Sequence, residues 1–522
     1  TRAIAAARAK RDAAAPEAAK ELLAVAELSP LTELQHAQIA RLRAQIEFTR
    51  SRSGEPGAPR VADAATQLLR AAQRLQPLDG EAARDTYLEA LAAAMFVSRF
   101  GAADGSAVVA EAARSALEPL PSVVRPIDHL LHGMADRISH GVAAAAPPLH
   151  TALTLWCQHA QDRDIASLPW MSLAFPIIQE SAVGELWDDK LMSRLAAAMV
   201  RYARDTGALA ILPSALTFQA GVHLLSGELG TAAALLDEAD AISAATQYQP
   251  VKYHRLHLAA LRGVPDAAVD LIESTRELAR RNGEGRLFGL TCLTAAILYN
   301  GLSRYPEAYA AAGGILDHED LGFYSWCLLE LVEAAVHTGH HDSAQDAVRQ
   351  LEDRAGAGGT DWGLGALAGA KALLADGPDA EALFNEAIER LERTGVASQL
   401  ARAHLRYGEW LRRRKRRPDA RQQLGNAHKM FTRMGTQAFA ERARRELVAA
   451  GENVCQGTNS ATQQLTAQET QVAKLAADGL TNQEIGAHLF LSTHTVEWHL
   501  RKVFVKFGIT SRRQLRAVSW PD

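Results

Sequence analysis

Residues 481–507 read TNQEIGAHLFLSTHTVEWHLRKVFVKF. Thr481 stands three residues ahead of Glu484, the spacing of a capping box at a helix start. Ser492 repeats the signal after a turn around Phe490 and Leu491, so a second helix follows the first across a tight corner. This is the pattern of a helix-turn-helix, a unit that lays its second helix in the major groove of DNA. With its flanks, Leu465 to Asp522 is predicted to form four short helices.

The second helix divides into two faces. Val496, His499, Leu500, Val503 and Phe507 recur at intervals of three and four and form a core stripe. His494, Glu497, Trp498, Arg501 and Val505 fall on the opposite side. A core face needs no Glu, and a solvated face rarely needs Trp. An ordinary wet surface with one stray aromatic is the bland alternative, but the capped helix-turn-helix context favours groove reading. Arg501 can reach guanine O6 and N7, and Glu497 can accept from a cytosine amino group. Trp498 offers an apolar edge to thymine methyls or packs on sugar and phosphate. Thr493, Thr495, Lys502, Lys506, Arg512 and Arg513 are placed for phosphates, which would set register while the outer trio sets preference. The backbone amides where the Thr481 helix begins, beside Asn482, offer a further phosphate site, and Ser492 opens the reading helix.

At these residues the segment resembles the LuxR-type helix-turn-helix of bacterial transcription regulators. Leu465, Thr466, Glu469, Val472, Gly479, Thr481, Asn482, Glu484, Ile485, Leu489, Ser492, Thr495, Val496, His499, Lys506, Gly508, Ile509 and Arg512 match that family's pattern. Gly486 stands where Ala is usual and Phe507 where Leu is usual. Many members carry Lys after the Thr-Val pair, and here Glu497 takes that place, which implies a different DNA target. The resembling segment is about a tenth of the chain.

The rest is long and Ala-rich, with Gly mostly as punctuation and little β-branched alternation, so an all-α chain of more than one domain is expected in its 522 residues. Gly408, twelve residues before Ala420, Leu424 and Ala427, has the small-residue arrangement of a tetratricopeptide hairpin. Similar sets occur at Ala380/Phe384/Ala387, Ala344/Val348/Leu351, Ala308/Ala312/Ile315 and Ala232/Leu236/Ala239, with a weaker copy near Ala268. Pro265, Pro306 and Pro418 sit just ahead of second helices, where the first turn tolerates them. The spacing, roughly 36 and 40 residues in alternation, exceeds the usual 34, so the repeat is divergent. The fold expected is therefore all-α: a tetratricopeptide-like solenoid of helical hairpins, then a four-helix LuxR-type module. The alternative is an irregular helical bundle. The expected domains are a helical-repeat sensor over 1–450, a polar linker at 451–464 and the DNA module at 465–522.

Charge is uneven. Residues 401–450 hold fourteen Lys or Arg against four acids, while the whole chain is −4, so the first 400 residues are strongly acidic. The run RRRKRR at Arg412 to Arg417 could add sequence-independent DNA affinity, form a solvated turn, or dock on the acidic body. Cys157, Cys292, Cys327 and Cys455 are far apart and read as reduced thiols of a cytoplasmic, nucleoid-associated protein. No apolar run is long enough for a bilayer, so no membrane partner is expected.

Little points to an enzyme. There is no G-x-x-x-x-G-K-[ST], H-E-x-x-H or C-x-x-C. The pairs His129/His132 and His254/His257 share helical spacing but lack evident carboxylate or Cys companions, so they read as ordinary histidines. His340-His341-Asp342 reads as a helix cap at a turn. A solenoid ahead of a LuxR-type module also resembles the carboxy-terminal half of the large ATP-binding regulators of that family. The resemblance implies that any ATP belongs to an amino-terminal ATPase absent from this chain, which starts at Thr1, and that this chain carries no cofactor. The reading is a transcription regulator, with activation as the expected sign. A small molecule or protein would engage the repeats and release the module, and paired modules would bind double-stranded DNA with two half-sites, as a dimer or higher through the helix expected at Ser511 to Val518. RNA polymerase is a candidate partner. The other reading is a repeat scaffold whose terminal module contacts protein.

Overall fold

The structure, a computed structural model, describes residues 2–12, 15–53, 57–102, 105–118, 125–162, 174, 177–209, 211–246, 253–451, 465–489, 491–507, 509 and 511–517. No strand occurs among them. The chain divides into two compact units, Thr1–Ala443 and Arg444–Asp522. Apart from Gly451, the stretch read as a linker lies outside the described residues.

The first unit is a run of antiparallel helices. It begins with α1 (Arg2–Asp12), α2 (Pro16–Glu27), α3 (Glu33–Ser53), α4 (Val61–Leu75), α5 (Gly80–Val97), α6 (Gly105–Leu117), α7 (Pro126–His140), α8 (Val142–Asp162) and α9 (Asp189–Asp205). The regular hairpins follow as pairs: α10 (Leu212–Leu225) with α11 (Leu229–Thr246), α12 (Tyr253–Arg262) with α13 (Pro265–Asn282), and α14 (Gly285–Gly301) with α15 (Tyr305–Gly313). Next come α16 (Tyr324–Thr338) with α17 (His341–Gly358), α18 (Asp361–Leu374) with α19 (Gly377–Glu392), and α20 (Ala397–Arg413) with α21 (Arg417–Met434), then α22 (Gln437–Ala449). This is the all-α, tetratricopeptide-like stack of hairpins.

The small-then-bulky sets fall on the second helices, and every residue named in them is buried. Their smallness is what lets the helices approach. A Cβ added at Gly408 would lie 2.6 Å from Leu424 Cγ, so α20 and α21 meet across that glycine. Pro265, Pro306, Pro378 and Pro418 occupy the first turns of α13, α15, α19 and α21, where the missing N–H has no partner to lose. Gly435 ends α21 at φ 80, a left-handed conformation that costs a glycine little; its N–H donates to the Phe431 carbonyl at 3.0 Å. The inner helices α14 and α16 bury almost every residue, so they show no polar stripe in sequence.

Expecting each hairpin to touch only its neighbours is too simple. Arg99, just beyond α5, donates to Asp320 at 2.8 Å, and a Cβ at Gly285 would collide with the Val97 carbonyl. Arg137 of α7 bonds both Glu185 and Glu319, and Glu185 also accepts from the Gly322 amide at 2.6 Å. Thr360 donates to the Trp187 carbonyl at 2.7 Å. The first half of the stack therefore curls back against α14 to α18, by polar contacts that span up to 222 residues.

The inner helices also enclose a charged cluster. Glu330 and Glu333 of α16 face Arg402 and Arg406 of α20, and Arg442 of α22 bridges Glu333 to Glu409. Arg442 reaches Glu333 at 2.6 Å, Glu409 at 2.7 Å and the Asn300 carbonyl at 3.0 Å. All six charged side chains are buried, three of each sign. Three of the fourteen basic residues counted in 401–450 are therefore internal, and the surface of that segment is less basic than its composition. Of the RRRKRR run at the α20–α21 turn, Arg414 pairs with Asp376 at 2.9 Å, and Arg416 with Glu381 and Asp419, each at 2.7 Å. Lys415 supplies the turn at φ 63. The run is thus a solvated turn that is partly ion-paired.

Burial alone would raise the Glu333 carboxyl. Arg406, Arg442 and Arg402 outweigh that and hold it well below its usual 4.5. Its contribution to stability is present above about pH 4.5 and is lost as pH falls toward the folded value. Glu333→Gln leaves three guanidiniums short of a carboxylate and is expected to cost roughly 3–5 kcal/mol. Urea unfolding against pH checks it: the variant should unfold at lower urea at pH 7 and lose part of the acid sensitivity below about pH 4.5, and an unchanged midpoint would refute the assignment. Gly408→Ala is expected to cost about 1–3 kcal/mol by the same measurement, because Leu424 must move.

Candidate nucleic-acid interface

In the second unit, α23 (Ala467–Ala477), α24 (Asn482–Leu489) and α25 (Thr493–Phe507) precede a 3₁₀ turn at Arg512–Ala517. The fourth helix, expected over Ser511 to Val518, is therefore of the tighter 3₁₀ kind where it is described. Val472, Ala473, Ala476, Ile485, Val496, Leu500, Val503 and Leu515 make one core from all four elements.

The starts of these helices follow the sequence signals. Thr466 and Glu469 form a reciprocal capping box on α23. On α24 the Glu484 amide donates to Thr481 Oγ1 at 3.3 Å, and the Thr481 amide donates to Glu484 Oε2 at 2.6 Å. Hydrogen bonds from the Thr481 amide and hydroxyl hold the Glu484 carboxyl below its usual range. That fixed negative charge sits at the helix start where a phosphate was expected, so the two compete. On α25 the Thr495 amide donates to Ser492 Oγ at 3.1 Å, and the two hydroxyls lie 2.7 Å apart.

The corner between α24 and α25 is held at Gly486. The Leu491 amide donates to its carbonyl at 2.9 Å, and an added Cβ would stand 2.6 Å from the Leu491 carbonyl oxygen. The departure from the usual Ala thus matches a corner too close for a methyl group.

The two faces of α25 separate as the spacing predicts. Val496, His499, Leu500 and Val503 are buried, whereas His494, Glu497, Trp498 and Arg501 are exposed. Trp498 is 50% exposed. Lys502 Nζ lies 3.8 Å from the centre of its ring. Arg501 is 3.4 Å from Glu497 one turn away, an exposed pair of the kind worth only about 0.3–0.5 kcal/mol, so either partner is released cheaply. Thr493 is exposed beside them. Lys506 and Arg513 belong to described helical backbone, but their side chains, like those of Val505 and Phe507, lie outside the described residues, as does Phe490.

Arg512 has a different place from the one its charge suggests. It donates to Asn482 Oδ1 at 2.7 Å, to the Ala476 carbonyl at 3.4 Å and to the Leu480 carbonyl. Desolvation lowers its pKa, and Glu484 partly offsets that. It therefore clamps the α23–α24 turn, and Asn482 is its acceptor. The hydroxyls of Thr481, Ser492 and Thr495 are likewise engaged in caps. The signal missed in sequence is that a charged residue can be consumed by carbonyls at a helix end. Among the described residues the outward set on α25 is Thr493, His494, Glu497, Trp498, Arg501 and Lys502, within which Arg501 meets Glu497 and Lys502 meets Trp498.

Among the described residues no cluster of three or more His, Cys, Asp or Glu could hold a metal. His132 does have a carboxylate companion, Asp136 at 3.1 Å, which His140 shares at 3.3 Å, with Arg114 at 3.2 Å from the far side of His140. Burial pushes His254 down to about 3 and His257 to about 4, so both are neutral core side chains. His340 stands at the start of α17 without a side-chain cap bond; it stacks on Tyr309 at 4.2 Å and bonds the Thr338 hydroxyl. Cys157, Cys292 and Cys327 are buried free thiols. No helix among the described residues is long and apolar enough to cross a membrane.

Scaffold and reading roles separate by mutation. Arg512→Ala is expected to lower the melting stability of this module by about 1.5–3 kcal/mol. Arg501→Ala should change it by less than about 0.5 kcal/mol. Equal melting of the two variants would count against the clamp.

Residues 463–518 match the GerE family, described as bacterial regulatory proteins of the luxR family. A Mycobacterium tuberculosis protein named as an HTH-type transcriptional regulator, Rv0890c, is 45% identical over 51 residues, which is 10% of this chain and 6% of that protein. The HTH-type transcriptional regulator AlkS of Alcanivorax borkumensis is 38% identical over 55 residues, with the same two shares. The aligned part of this chain thus spans 6% of the length of these curated relatives. Among solved structures, a Rap protein complexed with competence and sporulation factor aligns at a TM-score of 0.38 and 15% identity, over 71% of this chain and 97% of that one. With its capped helices, shared core and exposed outer face on α25, the segment 463–518 is a helix-turn-helix domain of the LuxR family of bacterial regulatory proteins.

Proposed function

We propose that this chain is a sequence-specific DNA-binding transcription regulator whose helical repeats receive a ligand or partner. The observation that carries the reading is the exposed Glu497–Trp498–Arg501 face on the second helix of a LuxR-family domain. Arg501 is the guanine reader, Glu497 the cytosine acceptor, and Trp498 the apolar contact. Lys502, Lys506, Thr493 and Arg513 serve phosphates and register. Because one such module neutralises few phosphates, binding uses two copies on two half-sites. Activation on inducer binding is the proposed sign, and a promoter-reporter assay with and without the repeat ligand reads it directly.

Enrichment of genomic DNA fragments by the intact chain tests the reading. A shared inverted-repeat motif is expected, and it should vanish with Trp498→Ala/Arg501→Ala. On that motif Arg501→Ala should lose roughly 5–150-fold in affinity at one base position, the equivalent of about 1–3 kcal/mol. Lys506→Ala should weaken all sequences alike and reduce the salt slope by about one. Binding that is indifferent to sequence in every variant would overturn groove reading and favour a repeat scaffold with a protein-binding tail.

A further inference from the structure

The inner face of the hairpin stack holds a cavity of about 30 Å³, room for about two water molecules. Its lining mixes apolar walls with polar side chains, among them His257, Glu330, Ser398, Gln399, Arg402 and Thr436. The indole N–H groups of Trp326 and Trp362 and the Nε–H of Arg402 have no hydrogen-bond partner among the described residues, and all three residues line this cavity. Trp362 is 1% exposed and Arg402 5% exposed. A buried donor without an acceptor costs about 1–3 kcal/mol, and three of them on residues that line one space leave it short of acceptors.

The charges decide what would complete it. Arg402 already gives both terminal nitrogens to Glu330 and one also to Glu333, and the cluster of three guanidiniums and three carboxylates is neutral. His257, also on the lining, is held neutral by burial. No net positive charge awaits an anion, and no carboxylate lacks a cation. The buried lining atoms left without partners are donors, so the fitting ligand presents an acceptor to them. The walls include Phe439 and Met434, and a Met side chain can swing to enlarge a small cavity.

We propose that this cavity is a binding site for a small uncharged molecule that carries a carbonyl or similar oxygen on a short apolar body. The oxygen takes the Trp326, Trp362 and Arg402 donors, and the apolar part lies against Phe439 and Met434. This deepens the sensor reading given above and rests on it only for its consequence. Phe431, Met434, Thr436 and Phe439 belong to α21, α22 and the corner between them, which in sequence is the last part of the repeats before the DNA-reading helices. An occupant therefore acts on the segment best connected along the chain to the output.

The test needs no DNA, so its failure is distinct from failure of the regulator reading. The full chain is labelled with ¹⁵N at the Trp indoles, and the Trp326 and Trp362 signals are assigned by Trp326→Phe and Trp362→Phe. Cyclopentanone, cyclopentanecarboxylate and cyclopentylammonium are then titrated. Expected is a saturable downfield shift of both signals with cyclopentanone alone, bound about five- to tenfold more weakly by each single Phe variant, read at the indole that remains. Thermal melting confirms that each variant is folded. Tighter binding of the carboxylate, undiminished ketone binding in both single Phe variants, or no saturable shift up to the solubility limit of the ketone would each overturn the proposal.

Discussion

The arrangement of the repeat domain depends on a buried ion cluster. Six charges, three of each sign, are contributed by α16, α20 and α22, and each carboxylate and each guanidinium is bonded to partners across the packing. Charges removed from water are tolerated only with such saturation, since one missing partner leaves an uncompensated ion. The cluster therefore permits essentially one register of the last hairpins. Arg442 is its most constrained member, fully buried, touching α14 and α16 as well as Glu409. A hydrophobic replacement could match the stability but would not specify the register as sharply.

The curl of the stack is polar for a related reason. Hairpins of small residues pack on their neighbours by shape, and that alone produces an open coil. Contacts between distant turns, such as Arg99 with Asp320 and Arg137 with Glu185 and Glu319, add a condition on superhelical pitch. Polar contacts are directional, so they fix an angle that an apolar face would leave adjustable. The cavity with unpartnered buried donors is lined instead by the later hairpins, from Leu225 to Phe439.

In the DNA module the same residue types serve two purposes, and geometry sorts them. Thr481, Ser492, Asn482 and Arg512 are spent on caps and turns, which hold α24 and α25 at their corner. Glu497, Trp498, Arg501 and Lys502 remain on the outside of a helix so fixed. Much of this is legible in the sequence. The capping boxes announce themselves by three-residue spacing, and the two faces of α25 by a period of 3.6, because both are local relations. The hairpin positions of Ala and Pro are legible for the same reason. Arg512 is misplaced among phosphate contacts by its charge alone, because its acceptors are up to 36 residues away, where no spacing rule reaches. The basic count of residues 401–450 misleads likewise, since composition does not say which arginines are inside.

The sequence by itself determined the helices, their starts and stops, the hairpin repeat and the family of the terminal module. Each follows from interactions within a turn or two, which a linear pattern records. Only the tertiary structure decided which charges are buried and paired, that Arg512 is held by carbonyls while Arg501 stands exposed, how the stack curls on itself, and which unpartnered donors lie on residues around a cavity. Those depend on groups tens to hundreds of residues apart, brought together by packing, and electrostatics in a dry interior makes their pairing far more consequential than their number.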